Sequence, residues 1–238
     1  MLSLIIPVFN EAPNLQPLYG ELKEALSRLH QAAEILFVDD ASTDRTSDAI
    51  RGLQATDPRI RGFRLHQNSD KGGALAVGFR EARGDILVTM DGDLQNDPAD
   101  IPLLLQAFAE GADLATGWRR ERADPPGKRL ASACFNIGMS CVFRHRLHDA
   151  NTGFKALRKE TALTVPLTQG LFRFLPFILA RRGMTIREVP VHHRPRRNGR
   201  TKFRLSRRAS SLRKLRNALR AASTPLTGLE GLPAYETL

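Results

Sequence analysis

Over the first 118 residues, short apolar runs alternate with stretches whose apolar side chains recur every third or fourth position. Residues 2–9, 34–38, 60–65, 85–90 and 112–116 have the length and content of buried strands. Between them, residues 15–30 place Leu15, Leu18, Leu22, Leu26 and Leu29 on one helical face. Residues 42–46 supply helix-starting side chains ahead of Ala49, Ile50 and Leu53, and residues 72–83 read as a further helix. Residues 98–110 form another, entered through Pro98. A chain patterned this way folds as α/β, with a mainly parallel central sheet flanked by helices. In open sheets of this kind ligands bind beyond the carboxyl ends of the strands. The polar and acidic residues gather at those ends: Asn10 after the first run, Asp39 and Asp40 after the second, Asp91 and Asp93 after the fourth.

The second half is less regular. Residues 118–127 read as a polar loop, 128–143 as a helix, 149–153 as a turn-rich loop, 171–182 as an apolar helix and 184–191 as a strand. A basic helix is expected over 205–222 and a loose tail over 223–238. Cys134 and Cys141, seven apart in a helix, read as small buried hydrophobes rather than as a disulfide framework. The reducing cytosol is therefore the expected compartment.

Charge is unevenly placed. The net charge is +11, yet residues 194–220 hold twelve Lys or Arg and no Asp or Glu, so the remainder is close to neutral. Such a tract attracts phosphates, whether of nucleic acid, lipid headgroups or a phosphorylated substrate. With 42% hydrophobic and 26% charged residues, wholesale disorder is excluded. No uncharged run reaches the ~18 apolar residues that a membrane span requires. The first residues lack a basic stretch and a small-residue cleavage site, and read as a strand rather than a signal peptide.

The strongest chemical signal follows the fourth strand, in LVTMDGDLQNDP. Asp91 and Asp93, two apart on extended chain, point the same way. Carboxylates converging at a strand end repel one another unless a cation lies between them, and Mg²⁺ or Mn²⁺ takes such oxygens while sharing others with substrate phosphates. Gln95 offers a further oxygen. No G-x-G-x-x-G, Walker A, H-E-x-x-H, C-x-x-C or G-x-S-x-G occurs, which counts against dinucleotide, P-loop, zinc and serine-nucleophile chemistry. His192 and His193 are adjacent and read as loop or surface residues rather than ligands.

Together these segments resemble a known family. IIPVFNE (residues 5–11), VDDASTD (38–44), NSDKGGALAVGF (68–79) and DGDLQNDP (91–98) are similar to the inverting family 2 glycosyltransferases of the GT-A fold. DANTGFKAL (149–157) and RPRRNGRTKF (194–203) are similar to the branch of dolichyl-phosphate mannose synthases and bacterial polyprenyl-phosphate glycosyltransferases. The resemblance implies a catalytic domain over residues 1–205, followed over 206–238 by a basic amphipathic helix and tail. It implies that Pro7, Phe9 and Glu11 line the nucleotide pocket and that Val38 and Asp40 meet the base. Asp91, Gly92 and Asp93 would meet the ribose and diphosphate, with Asp91, Asp93 and Gln95 holding Mg²⁺ or Mn²⁺. Arg119, Arg129, Ser132, Arg194, Arg196 and Lys202 would face phosphates. Asp149 opens the acceptor loop and would serve as base for a hydroxyl acceptor, and Gly153 permits its turn.

The expected activity is transfer of a sugar from GDP-mannose or a UDP-sugar to a polyprenyl or dolichyl phosphate, with inversion. A family 2 transferase acting on a hydroxyl acceptor is the alternative, and a basic binding module without catalysis is a third. Nucleic acid is not an expected partner: the basic tract holds one aromatic, Phe203, and no reader motif. Many bacterial relatives continue into transmembrane helices after the basic motif, and Thr201 stands where Ser is common. The expected location is the cytoplasmic membrane surface, reached through the basic helix, the apolar helix at residues 171–179 or a small membrane partner protein. Leu205, Ala209, Leu212, Leu215, Leu219 and Ala222 trace the apolar face of the basic helix, which either lies on an anionic surface or packs on the domain as an ordinary helix.

Overall fold

The computed structural model describes residues 1–121, 126–165, 167, 170–196, 208–223 and 232–238, and the side chains of residues 126, 128, 129 and 208–212 also lie outside the description. The described strands are β1 (Leu2–Val8), β2 (Ala33–Asp39), β3 (Ile60–Leu65), β4 (Ile86–Thr89), β5 (Leu114–Trp118), β6 (Lys155–Arg158), β7 (Ile186–Pro190) and β8 (Tyr235–Thr237). They form one sheet in the order β7-β5-β6-β4-β1-β2-β3-β8. β1 is central, parallel to β2 and β4, and all but one of its residues are buried. That explains its near-continuous apolar sequence, since strands covered on both faces have no solvent side to alternate with.

The helices cover both faces: α1 (Ala12–Ser27), α2 (Thr46–Gln54), α3 (Asp70–Glu81), α4 (Ile101–Ala109), α5 (Pro126–Phe143), the single turn α6 (Lys159–Ala162), α7 (Leu175–Arg181) and α8 (Arg208–Ser223). Glycine lets α3 lie against the sheet: a Cβ at Gly78 would collide with Ile5. A 3-10 turn at Pro98–Asp100, capped by the Asp97 carboxylate accepting from Ala99 N–H at 3.0 Å, leads into α4. Another at Leu171–Phe174 precedes α7, so residues 171–182 are not one continuous helix.

Two strands differ from the sequence expectation. β6 pairs antiparallel with both β4 and β5. Four residues that include a lysine carry no readable period. β8, expected as loose tail, pairs antiparallel with β3 through Phe63–Thr237, Arg64–Glu236 and Leu65–Tyr235.

The basic helix takes the packed one of its two expected placements. Ala218, Ala221 and Ala222 of α8 are buried, Leu215 and Leu219 pack on the core, and α8 rests on α7. The described part of its apolar face is therefore spent inside the protein, while Leu205 and the side chains of Ala209 and Leu212 lie outside the described residues. Arg213, Arg216 and Arg220 remain exposed.

Cys134 and Cys141 are both exposed, contrary to the expectation of burial. α5 turns Phe135, Asn136 and Phe143 inward, with Phe143 stacked 5.4 Å from Phe177 and Phe135 5.9 Å from Phe174. The opposite stripe, Leu130, Cys134, Ile137 and Cys141, faces outward, and Leu130 and Ile137 are two-thirds exposed. Both thiols of the folded protein should react promptly with a small aromatic disulfide. Protection of either until denaturant is added would contradict this placement.

Candidate active site

Among the described residues, four of the five non-glycine residues with left-handed backbone cluster at one end of the sheet, the fifth being Arg144 after α5. Asn10 (φ 53°) follows β1, Ala41 (φ 58°) follows β2, Asp70 (φ 73°) opens α3 and Leu94 (φ 62°) follows β4. Each such residue costs of order 1–3 kcal/mol, and such strain collects where function fixes the backbone. Side chains hold these turns. The Asn10 carboxamide oxygen accepts from Thr43 N–H at 2.8 Å, and Ser42 Oγ accepts from Asn10 N–H at 2.8 Å. Buried Asp39 accepts from Ser42 N–H at 2.9 Å and from Ser47 Oγ–H at 2.5 Å.

Asp40 accepts from Ser69 N–H at 2.7 Å and from the Asn68 amide at 3.0 Å. Burial nonetheless pushes its carboxyl up to about 7, with Asp70 and Asp39 adding to the rise. Pro7 and Val38 face each other in the β1–β2 register. Phe9 and Glu11 follow in the loop after β1, so all five expected nucleotide-pocket residues lie on two adjacent strand ends.

Beyond β4, Asp91 forms an ion pair with Lys71, and Asp93 with Arg196. Burial works against the charged form of Asp91, but Lys71, Arg119 and Lys155 outweigh it and hold its carboxyl below the ordinary range. Asp93 moves the other way: burial and the charge of Asp91 raise it, against Arg196. The two acids thus lie within each other's field, as the spacing predicts. Gly92 between them backs onto Val8, whose Cγ1 lies 2.8 Å from where a Cβ would stand. Glu11 Oε1 is 3.9 Å from the Arg196 guanidinium, so Glu11, Asp93 and Arg196 converge.

A strap over residues 192–196 lies along the loop after β4. His192 Nδ1 is 2.8 Å from Asp100 Oδ1, His193 bridges Asn96, and Arg194 N–H donates to Gln95 O at 2.9 Å. The Gln95 side-chain amide donates to Arg194 O at 3.3 Å. Arg194 was expected to face phosphates; instead its guanidinium pairs with Glu21 at 2.7 Å and with Asp97, fastening the strap.

The acceptor-side residues meet at β5 and β6. Arg119 Nε and Nη2 donate to the two oxygens of Asp149 at 2.7 and 2.9 Å, a bidentate pair in which Asp149 is 1% exposed. Asp149 N–H donates to Glu188 Oε1 at 2.8 Å. This engagement leaves Asp149 holding an arginine rather than standing as an open base. Gly153 touches the Asp91–Lys71 pair; a Cβ there would overlap both side chains. Ser132 Oγ is buried with no hydrogen-bond partner. The side chain of Arg129 and the whole of Lys202 lie outside the described residues.

Sequence reasoning missed two lysines. Lys71, at the start of α3, reaches Asp91 and stands 5.1 Å from the Phe172 ring centre. Lys155 opens β6, fully buried, 4.9 Å from the same ring. Burial, with the Lys71 charge, pushes its ammonium down to about 7. A lysine set among Phe154, Ala156 and Leu157 was the available signal for the second.

Could these residues hold a cation? Among the described residues no three His, Cys, Asp or Glu side chains form a metal cluster. Two neighbouring carboxylates with the oxygen of Gln95 are nevertheless the hard donor set that Mg²⁺ or Mn²⁺ accepts when substrate phosphates and water complete the shell.

The chain is 30% identical over 206 residues to an undecaprenyl-phosphate 4-deoxy-4-formamido-L-arabinose transferase from Aeromonas hydrophila, covering 86% of this chain and 63% of that protein. It is 33% identical over 213 residues to a dodecaprenyl-phosphate galacturonate synthase from Rhizobium johnstonii, covering 87% and 62%. The chain thus spans about three-fifths of the length of these relatives. Glucosyl-3-phosphoglycerate synthase from Mycobacterium tuberculosis, solved with Mn²⁺, UDP-glucose and phosphoglyceric acid, superposes with a TM-score of 0.71 at 19% identity, covering 95% of this chain and 81% of that one. Mannosyl-3-phosphoglycerate synthase from Rubrobacter xylanophilus gives 0.68 at 20%, covering 98% and 78%. These neighbours share the GT-A fold. Residues 3–174 match the family described as glycosyl transferase family 2, and the chain belongs to that family.

Proposed function

We propose that the chain is an inverting glycosyltransferase moving a sugar from a nucleotide-diphosphate donor to a polyprenyl phosphate. The observation that carries this reading is the gathering of Asp91, Asp93, Lys71, Arg119 and Arg196 at the carboxyl ends of β4 and β5, in a chain whose relatives are named for transfer to undecaprenyl and dodecaprenyl phosphate. Asp40, with Pro7 and Val38, would seat the base. Asp91 and Asp93, with Gln95, would hold Mg²⁺ or Mn²⁺, which supplies Lewis-acid neutralisation of charge growing on the leaving diphosphate. Lys71 and Arg196, already against these carboxylates, would add fixed positive charge beside the same phosphates.

On the other side, Arg119, held by Asp149, would orient the lipid phosphate. One of its oxygens attacks the anomeric carbon as the bond to the diphosphate breaks, and the nucleoside diphosphate leaves from the opposite face. That oxygen is already anionic at neutral pH, so positioning serves where a hydroxyl acceptor would need a base. The engagement of Asp149 by Arg119 favours the phosphate acceptor. Turnover of GDP-mannose and a panel of UDP-sugars, with and without undecaprenyl phosphate, tests the reading. A lipid-linked product from one donor, lost in excess chelator, is expected. Glycosylation of a free glycan with no lipid product would overturn it.

We also propose that the protein works at a membrane surface. No helix among the described residues is long and apolar enough to cross one. The outward stripe of α5, continued by exposed Arg144 and Arg146, and the exposed arginines of α8 support attachment to an anionic leaflet. Both helices pack on α7. The protein should float with anionic vesicles at low salt, and Leu130→Ser/Ile137→Ser should weaken flotation. Unchanged flotation of that variant would remove α5 from the contact.

A further inference from the structure

A fully buried ammonium is an expensive way to fill space between two strands. Lys155 nevertheless occupies such a place, with Thr89 of β4 and Thr116 of β5 as its register partners. Among the described residues it makes no ion pair with a carboxylate. Its ammonium donates instead to the main-chain carbonyls of Ala150, at 3.2 Å, and Thr152. Thr89 Oγ–H donates to the next carbonyl, that of Gly153, at 2.6 Å. Three carbonyls of one short loop are thereby drawn inward under the sheet end.

The ends of that loop touch the two halves of the site. Asp149 holds Arg119, and Gly153 lies against Asp91 and Lys71. A small displacement of the loop is therefore felt by the arginine and by the carboxylate together. The nucleotide side is not attached to it: Pro7, Val38 and Asp40 belong to β1, β2 and the turn that follows.

We infer that Lys155 is a positioning residue, whose buried ammonium fixes the 149–153 loop and with it the geometry between Arg119 on the acceptor side and Asp91 at the diphosphate. This rests on the functional reading above for what the geometry serves. A side chain of equal length and no charge would remove the burial cost but leave the carbonyls of Ala150 and Thr152 without their donor. A buried carbonyl stranded in this way turns toward another donor or toward water, and the loop goes with it.

The test compares the full-length protein with Lys155→Met and with Lys155→Gln, which retains N–H donors without charge. In Lys155→Met, amide exchange over residues 149–154 should quicken about tenfold or more, while the peptides of β1 and β2 keep their rates. Transfer to undecaprenyl phosphate should fall about 10²-fold, as misplacement near 1 Å can cause. Binding of UDP without metal should stay within about threefold, because Pro7, Val38 and Asp40 stand outside the loop. Lys155→Gln should recover part of both the loop protection and the transfer. Exchange over 149–154 unchanged in Lys155→Met, exchange rising equally across the sheet, or a mobile loop with transfer retained would each overturn the inference. Should the wild-type protein transfer no sugar to any polyprenyl phosphate, the functional reading falls, and the exchange measurement still decides what Lys155 holds.

Discussion

Asp93→Ala lowers turnover by about 10²-fold or more and leaves the melting temperature nearly unchanged. The loss follows from the charge balance of the site. Removing a group that stabilises charge developing on a leaving group costs of order 10²–10³ in rate, and Asp93 is one of two carboxylates placed to hold the cation that does so. Stability is spared for a different reason. Asp93 is buried close to Asp91, and both facts oppose its ionisation. Alanine removes that repulsion, and Arg196, a quarter exposed and still near Glu11, stays hydrated. Mn²⁺ binding read by electron paramagnetic resonance should weaken in parallel. Undiminished Mn²⁺ binding by the variant would remove Asp93 from the metal site.

Arg119→Ala has the largest expected effect on the fold. It strands Asp149, 1% exposed, without the bidentate partner that neutralises it. Breaking a buried pair on one side costs about 3–5 kcal/mol, which for a chain of this size lowers the melting temperature by about 10 °C. The double variant Arg119→Met/Asp149→Asn removes the stranded charge and should regain most of that loss. It should not regain transfer to lipid phosphate, because the cation is gone. Thermal melts of the three proteins measure the first expectation and the transfer assay the second. Equal melting temperatures for wild type and Arg119→Ala would contradict the ion pair.

Period made the first half of the fold legible. Strands buried on both faces read as apolar runs, and helices on those faces show a stripe such as Leu15, Leu18, Leu22 and Leu26. β6 and β8 were not legible, because KALR and YET are short and charged and lack the apolar run that marks the equally short β4. The position of the expected donor-side residues at strand ends was readable because they follow strands in short motifs. The pairing of basic residues was not. Arg194 and Arg196 lie in an acid-free stretch of sequence, yet they meet Glu21, Asp97, Asp93 and Glu11, acids brought in from the first hundred residues. Local charge composition therefore cannot tell an arginine that meets a ligand from one that meets its own protein. Lys155 escaped notice for a related reason: its apolar neighbours Phe154, Ala156 and Leu157 were the one signal in GFKALR of a lysine turned inward, and four residues are too few to fix which way it points.

The two outermost strands also bear on how copies of this protein meet. An unguarded sheet margin offers its unpaired main-chain groups as a template for another chain. One margin here is β7, which ends in Pro190, unable to donate, and carries Arg187 and Glu188. The other would be β3, six residues with Phe63 and Leu65 buried, were it not covered by β8. Three residues near the chain's far end thus shield a strand laid down some 170 residues earlier in the sequence. Truncation before β8 would turn a closed margin into an adhesive one, and a segment that looks dispensable in sequence is a guard against aggregation.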